Sequence, residues 1–325
     1  MRKIRAAVIG AGSFGRNHVR VISQLPDVEL AAILDIDFAK AQQLAHEHKT
    51  SAYGSVEEAL PHMETAIVAT PTVTHEAIST QLLEAGVDVL VEKPIADSSA
   101  AGERLARLAQ DRGRVLQVGH LERFNPAVIA LENALTIPLF FEIHRLSMFT
   151  PRSLDIDVVL DLMIHDLDIV LRFTGSLPDD IRAAGISVLS PRVDIANVRL
   201  SFPSGCVANL TASRVSTEMV RKMRLFQPGE YISIDYQRQD AIRLVIRKRE
   251  ASRSVPQIAS ESLQVIRGEP LRLELASFFN AVRERVQARV NAFEAVNALR
   301  VAEAILDKIR EHANTVAETI QRRTP

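Results

Sequence analysis

Ile4-Arg5-Ala6-Ala7-Val8-Ile9, followed by Gly10-Ala11-Gly12-Ser13-Phe14-Gly15, decides how this chain is read. A mostly apolar strand runs into three glycines at G-x-G-x-x-G spacing. A helical stretch, Asn17-His18-Val19-Arg20-Val21-Ile22, comes next. The glycine pattern alone is a weak signal, but the strand before it and the helix after it supply a mechanism. Gly10 permits the tight turn, Gly12 lets a pyrophosphate approach the backbone, and Gly15 lets helix pack closely on strand. Ser13 and Phe14 open the helix, whose first N–H groups and partial positive charge suit phosphate. A second strand, Glu29-Leu30-Ala31-Ala32-Ile33-Leu34, ends at Asp35, twenty residues past Gly15. That spacing suits a carboxylate accepting hydrogen bonds from an adenosine ribose. Asp35 repels a 2′-phosphate, and Ile36 and Asp37 follow it rather than an arginine. NAD is therefore expected over NADP, with Lys40, one helical turn on, as the residue that can soften the preference.

Strand and helix patterns then alternate to about residue 120. A helix is expected over Phe38–His48, a strand at Thr65-Ala66-Ile67-Val68-Ala69 ending in Thr70-Pro71, and a helix from Thr74 to Ala85. The strand Val87–Val91, a helix over Ala100–Asp111 and the strand Val115–Val118 complete a doubly wound parallel sheet. The segment Val89-Leu90-Val91-Glu92-Lys93-Pro94 stands out within it. Its apolar run reads as a buried parallel strand. Pro94 pushes Lys93 into an extended conformation. Lys93 thus stands at the carboxyl end of a strand, where open α/β sheets bind their ligands.

Composition narrows the field. The 325 residues carry a formal net charge of −1, so no global basic signal points to nucleic acid. No apolar run approaches the ~20 residues needed to span a bilayer. Met1-Arg2-Lys3 leads straight into the first strand, which argues against a signal peptide. A single cysteine, Cys206, excludes internal disulfides and cysteine-cluster metal sites. A cytoplasmic protein is expected.

The pattern changes near residue 120, so residues 1–120 are read as a dinucleotide-binding domain and 121–325 as a second, α+β domain. Asn125-Pro126 resembles an N-cap and first-turn proline for a helix over Ala127–Leu135. Strands are expected at Leu139–Leu146, Ile181–Ser187, Ala196–Phe202, Cys206–Ala212, Tyr231–Tyr236 and Ala241–Ile246, with Pro203-Ser204-Gly205 as a hairpin turn. Helices are expected over Val158–Phe173, Leu271–Val286 and Phe293–His312. A mostly antiparallel sheet covered by helices on one face follows. In Ala196–Phe202, Val198, Leu200 and Phe202 alternate with Asn197, Arg199 and Ser201. The uncovered face suggests a homodimer or homotetramer. On the helix Val158–Phe173, Asp161 and His165 are four apart and share a face. They read either as a solvated pair or as a histidine base oriented by a carboxylate. The nine histidines show no spacing built for zinc at this site, so no metal is expected.

Taken together, the glycine turn, Ala69-Thr70-Pro71 with His75, Glu92-Lys93-Pro94 and Asp161-Leu162-Met163-Ile164-His165 resemble the Gfo/Idh/MocA oxidoreductases in order and spacing over nearly the whole chain. The resemblance implies an NAD(P)-dependent enzyme acting on a sugar, an inositol or a nucleotide sugar. It implies that Lys93 and His165, with Asp161 beside them, line the site of hydride exchange. It implies that Thr70, Pro71, His75 and Glu92 lie along the nicotinamide half of the cofactor. Val118-Gly119-His120-Leu121-Glu122-Arg123-Phe124-Asn125-Pro126 and Asp157–Asp166 are similar to the branch that oxidises the 3-hydroxyl of UDP-N-acetylglucosamine. That branch supplies a 3-keto nucleotide sugar to a partner aminotransferase, as for the 3-amino sugar of lipid A. Val158 and Val159 stand where much of the family has glycines, a departure from the inositol and free-hexose enzymes. A UDP-sugar needs cations for its pyrophosphate. Arg123 is the first candidate, Arg145 and Arg152 are next, and Arg214 and the run Arg221-Lys222-Met223-Arg224 add charge; Asn125 can touch substrate while capping. Two other functions remain open: an inositol or free-sugar dehydrogenase, and a non-catalytic dinucleotide-dependent regulator.

Overall fold

The computed structural model describes residues 2–150, 156–247 and 257–323, which fall into two compact units. The first comprises residues 1–121 together with 269–296, and the second residues 122–268 together with 297–325. The first break lies within a residue or two of the composition change near 120. The chain then returns to the first unit late, which the pattern of strands and helices does not announce.

The first unit is built from β1 (Ile4–Ile9), α1 (Ser13–Ile22), β2 (Val28–Leu34), α2 (Phe38–His48), β3 (Ser51–Tyr53) and α3 (Val56–Ala59). It continues with β4 (Thr65–Val68), α4 (His75–Glu84), β5 (Asp88–Glu92), α5 (Ser99–Asp111) and β6 (Leu116–Gly119). The strands pair in parallel in the order β3-β2-β1-β4-β5-β6. This is the doubly wound order whose chain reversal lies at β1 and β4, so ligands bind beyond the carboxyl ends of those strands. Val8, Ile67 and Leu90 are fully buried, as strands covered on both faces require.

The second unit contains α6 (Pro126–Ala134) and β7 (Phe140–Met148), then a π-helical turn at Val159–Met163 that runs into α7 (Ile164–Thr174). Next come β8 (Asp180–Ile186), β9 (Ile195–Ser201), β10 (Val207–Ser216), β11 (Val220–Gln227), β12 (Glu230–Asp235), β13 (Asp240–Arg247) and β14 (Gln257–Ser262). Among the described residues they form an eight-stranded sheet in the order β14-β13-β12-β11-β7-β10-β9-β8. Every pairing is antiparallel except β7 with β10. Phe141 and Ile143, Val198 and Leu200, Leu210, Met223 and Leu225 point inward and share a core with Val128 and Leu131 of α6 and Leu167 and Val170 of α7. The alternate residues, among them Glu142, Arg199, Lys222 and Arg224, face the other way. Three strands were not expected: β3, β14 and β11. The last was hidden because Arg221, Lys222 and Arg224 obscure an alternation that only Met223, Leu225 and Phe226 carry.

The chain closes with α8 (Pro270–Glu284) and α9 (Ala292–Arg323). Leu275, Phe278 and Phe279 of α8 bury against Val19 and Ile22 of α1 and Val8 of β1. This is why residues 269–296 belong to the first unit. The remainder of α9 belongs to the second, where Val301, Ala302, Ile305 and Ile309 join its core.

Candidate active site

In the first unit the turn after β1 does what its glycines suggest. Gly10 has φ +103°, a conformation that favours glycine, and a Cβ there would sit 2.4 Å from the Ala69 carbonyl oxygen. A Cβ on Gly15 would sit 1.7 Å from the Gly10 carbonyl oxygen. Gly12 differs: a Cβ there would meet nothing within 4 Å. The protein itself does not require a glycine at that position, so the open space in front of the turn is left for a ligand. Gly12 caps α1 without a side-chain hydrogen bond, and no acid occupies the first turn. The helix therefore presents uncapped N–H groups there, which fits a pyrophosphate.

Asp35 leaves the end of β2 and accepts from the Ala11 N–H at 2.6 Å and the Asp37 N–H at 2.8 Å. Its carboxylate is thereby fixed against the glycine turn. Lys40 pairs with Asp37 at 3.0 Å, with Asp35 adding a weaker attraction. Phe14 and Ile36, both apolar, stand exposed at the turn and just past Asp35.

Lys93 is half-buried at the end of β5, and its peptide to Pro94 is cis. Its surroundings hold it in place. His75, buried at the start of α4, lies 2.9 Å from the Thr70 carbonyl through Nε2 and 2.9 Å from the Pro94 carbonyl through Nδ1. Burial keeps its pKa below the ordinary histidine value despite the two carbonyls, so the neutral ring donates to one of them at a time. His75 thus ties the Thr70-Pro71 segment to the Lys93-Pro94 turn. Thr74 Oγ1 adds a 2.8 Å hydrogen bond to Thr70 Oγ1. On the other side, Glu92 Oε1 lies 2.7 Å from His18 Nε2, joining β5 to the helix that follows the glycine turn. Burial pushes the Glu92 carboxyl up, but the His18 hydrogen bond and charge and the Lys93 charge outweigh it and hold it below the usual range. The carboxyl of buried Glu274 of α8, by contrast, is pushed well up by its burial and by Glu92.

In the second unit Asp161 sits in the π-helical turn and His165 in the first turn of α7, both half-buried. Such turns recur at functional sites in other helices. The neighbouring aspartates of α7 have a different task. Asp166 receives a bidentate pair from Arg145, with Nε–Oδ2 at 2.7 Å and Nη2–Oδ1 at 2.8 Å. Arg145 Nη1 reaches Glu122 at 2.8 Å, and its guanidinium lies 5.0 Å from the Tyr236 ring centre. Tyr236 Oη donates to Asp166 Oδ1, and Asn125 Nδ2 donates to Glu122 and to the Tyr236 carbonyl. Asp168 faces Arg123 at 3.7 Å. Arg123, Asn125 and Arg145 are each only 3% exposed. Three residues expected to touch substrate therefore lie in a buried polar network, with Asn125 also capping α6 through the Ala127 N–H. Arg214 is buried too, with its guanidinium on the Ile156 carbonyl and beside Asp194. Arg152 lies outside the described residues.

The oxidoreductase family with an NAD-binding Rossmann fold, Gfo/Idh/MocA, matches residues 4–120, and the Gfo/Idh/MocA C-terminal domain matches residues 141–226. A UDP-N-acetylglucosamine 3-dehydrogenase of Acidithiobacillus ferrooxidans is 36% identical over 283 residues, 87% of this chain and 90% of the relative. The chain belongs to the Gfo/Idh/MocA family. It is an NAD-binding oxidoreductase. The solved structure of UDP-N-acetylglucosamine 3-dehydrogenase GnnA from Acidithiobacillus ferrooxidans matches with a TM-score of 0.89 at 32% identity, covering 96% of this chain and 99% of that one. A scyllo-inositol 2-dehydrogenase (NAD(+)) of Bacillus subtilis is 26% identical over 235 residues, 66% of this chain and 68% of the relative. Among the described residues no helix is long and apolar enough to cross a membrane.

The Asp168–Arg123 pair gives this family member a measurable pH signature. Burial raises the Asp168 carboxyl to about 6 against the opposing pull of Arg123. An unfolded aspartate titrates near 3.9. Between those values the folded state holds a proton that the unfolded state lacks, so this group's contribution to stability increases as pH falls. In urea unfolding the difference between Asp168→Asn and the unaltered protein should be small near pH 4, grow between about pH 4 and 6, and level off above about pH 6. The variant gains relative to the parent by on the order of 2 kcal/mol. A pH-independent difference contradicts the buried, raised carboxyl.

Proposed function

We propose that this protein oxidises the 3-hydroxyl of UDP-N-acetylglucosamine with NAD+, giving the 3-keto nucleotide sugar. The observation that carries the reading is the similarity along 87% of the chain to an enzyme of that name; within that reading the chemistry falls to Lys93, Asp161 and His165. Bound NAD+ supplies the hydride acceptor. The Lys93 ammonium stabilises the negative charge that develops on the substrate oxygen. His165 accepts the hydroxyl proton, and Asp161 orients the imidazole. Glu92, His18 and His75 hold the Lys93 turn fixed, so little reorganisation accompanies charge development. Asp35 takes the adenosine ribose, and the exposed side chain of Ile36 offers an apolar face to the adenine. Thr70 and Pro71 line the nicotinamide half. In this reading the keto product passes to an aminotransferase, as in making a 3-amino sugar for lipid A, and the reaction is cytoplasmic.

The test is a screen of UDP-sugars, free N-acetylglucosamine and inositols with NAD+, following NADH absorbance with an aminotransferase present to draw off the ketone. UDP-N-acetylglucosamine should be the efficient substrate. Lys93→Met and His165→Asn should each lower kcat by on the order of 10²-fold or more while leaving NAD+ affinity near its parent value. Equal oxidation of free sugar or inositol would move the protein to the cyclitol or free-sugar class. Near-normal turnover by both variants would remove their catalytic assignment.

Cofactor preference follows from Asp35. Replacing it by serine together with Ile36→Arg should shift kcat/KM toward NADP+, read from paired titrations. Equal, tight binding of both cofactors by the unaltered protein contradicts this role.

The sheet face opposite the helices carries Phe226 and Phe140 with Glu142, His144 and Arg224. We propose that a second copy covers it, making a dimer or tetramer. Light scattering at micromolar concentration should give at least twice the chain mass of 35.9 kDa; a monomer refutes the assembly.

A further inference from the structure

Among the described residues of the substrate domain, Arg221 stands outside the network around Arg145. Strand β11 carries Arg221, Lys222 and Arg224, and strand alternation separates them. Lys222 and Arg224 face away from the helices, 3.9 Å from Asp235 and 2.9 Å from Glu142 respectively. Arg221 lies directly opposite Arg145 in the β7–β11 register and shares its face with Met223 and Leu225, the face that α6 and α7 cover. Like charges directly opposite on a sheet destabilise it. Arg145 has taken the available carboxylates: Asp166 and Glu122 each use both oxygens within the network. Arg221 is half-buried, and its Nε is inaccessible to water and without a hydrogen-bond partner among the described residues. Burial and the charge of Arg145 lower its pKa, with Glu122, Asp166 and Asp161 opposing. Asp161 is the residue paired in sequence with His165, so Arg221 stands within electrostatic reach of the reacting end of the domain.

A partly desolvated guanidinium next to another cation is a poor arrangement for folding alone. It becomes favourable when an anion arrives. We propose that Arg221 binds the diphosphate of the nucleotide sugar, a role that rests on the UDP-sugar reading above. Guanidinium is suited to it, because its planar fork grips phosphate through two parallel hydrogen bonds. The role passes over Arg123 and Arg145, whose charges are committed inside the domain.

The experiment uses UDP as the probe, measured by calorimetry on the full-length unaltered protein and on Arg221→Met and Arg221→Lys, all with NAD+ bound. The unaltered protein should bind UDP. Arg221→Met should weaken binding about tenfold or more, and Arg221→Lys should restore part of the loss. KM for the UDP-sugar should rise in parallel while kcat changes far less. Melting temperature offers an independent readout: removing a cation from beside Arg145 should leave it unchanged or raise it, whereas loss of a structural ion pair would lower it. If the unaltered protein binds UDP and Arg221→Met binds it equally well, the role of Arg221 is overturned and the UDP-sugar reading stands. If the unaltered protein does not bind UDP at all, both fall.

Discussion

A charge taken out of water needs a partner, and the substrate domain is arranged around that requirement. Arg145 is fully enclosed, yet it holds two carboxylates and the face of Tyr236. Removing one partner from such a set leaves a bare buried charge and costs several kcal/mol, far more than loss of an exposed pair. The network therefore fixes α7 against β7 and β12, and α7 carries His165. The residues that look most like ligand-binding cations by type serve to hold the helix that bears the proposed base.

The nucleotide domain meets a related constraint by different means. There the turn is so narrow that a side chain on Gly10 or Gly15 would collide with a carbonyl oxygen, while Gly12 opens on empty space. Beyond the turn, His18 and Glu92 connect α1 to β5, and His75 connects the Thr70 loop to Pro94. One set of short polar contacts thus links α1, the Thr70-Pro71 loop and the turn that carries Lys93. Glu274 lies near Glu92, and burial and the Glu92 charge push its carboxyl well up.

Local features were legible in the sequence and distant ones were not. The glycine turn, Asp35 and the Glu92-Lys93-Pro94 strand end could be read because turn geometry, spacing and proline sterics act within a few residues. The register of β9 could be read from the alternation Val198/Asn197/Leu200/Arg199. Strand β11 could not, because three cations in four residues resemble a solvated run until their pairing to β7 splits them between two faces. The return of α8 to the nucleotide domain depends on Phe278 and Phe279 meeting Val19 and Ile22 across more than two hundred residues, which no local pattern records. Arg123 and Arg145 read in the sequence as cations for a substrate's pyrophosphate; their burial depends on Asp168 and Asp166, whose places are set by tertiary packing. His18 carried a weak signal, lying on the helix that opens at the glycines, and its partner Glu92 is seventy-four residues away.

The central claim is that hydride leaves carbon 3 of a nucleotide sugar. It is tested most directly with UDP-N-acetylglucosamine deuterated at carbon 3 and unlabelled NAD+, with the reduced cofactor analysed by mass spectrometry. The account predicts that the deuterium appears on the nicotinamide ring and that the nucleotide sugar becomes the 3-ketone. Formation of unlabelled NADH would place the oxidation at another carbon. Absence of any reduced cofactor, where an inositol or free sugar does yield it, would contradict the account.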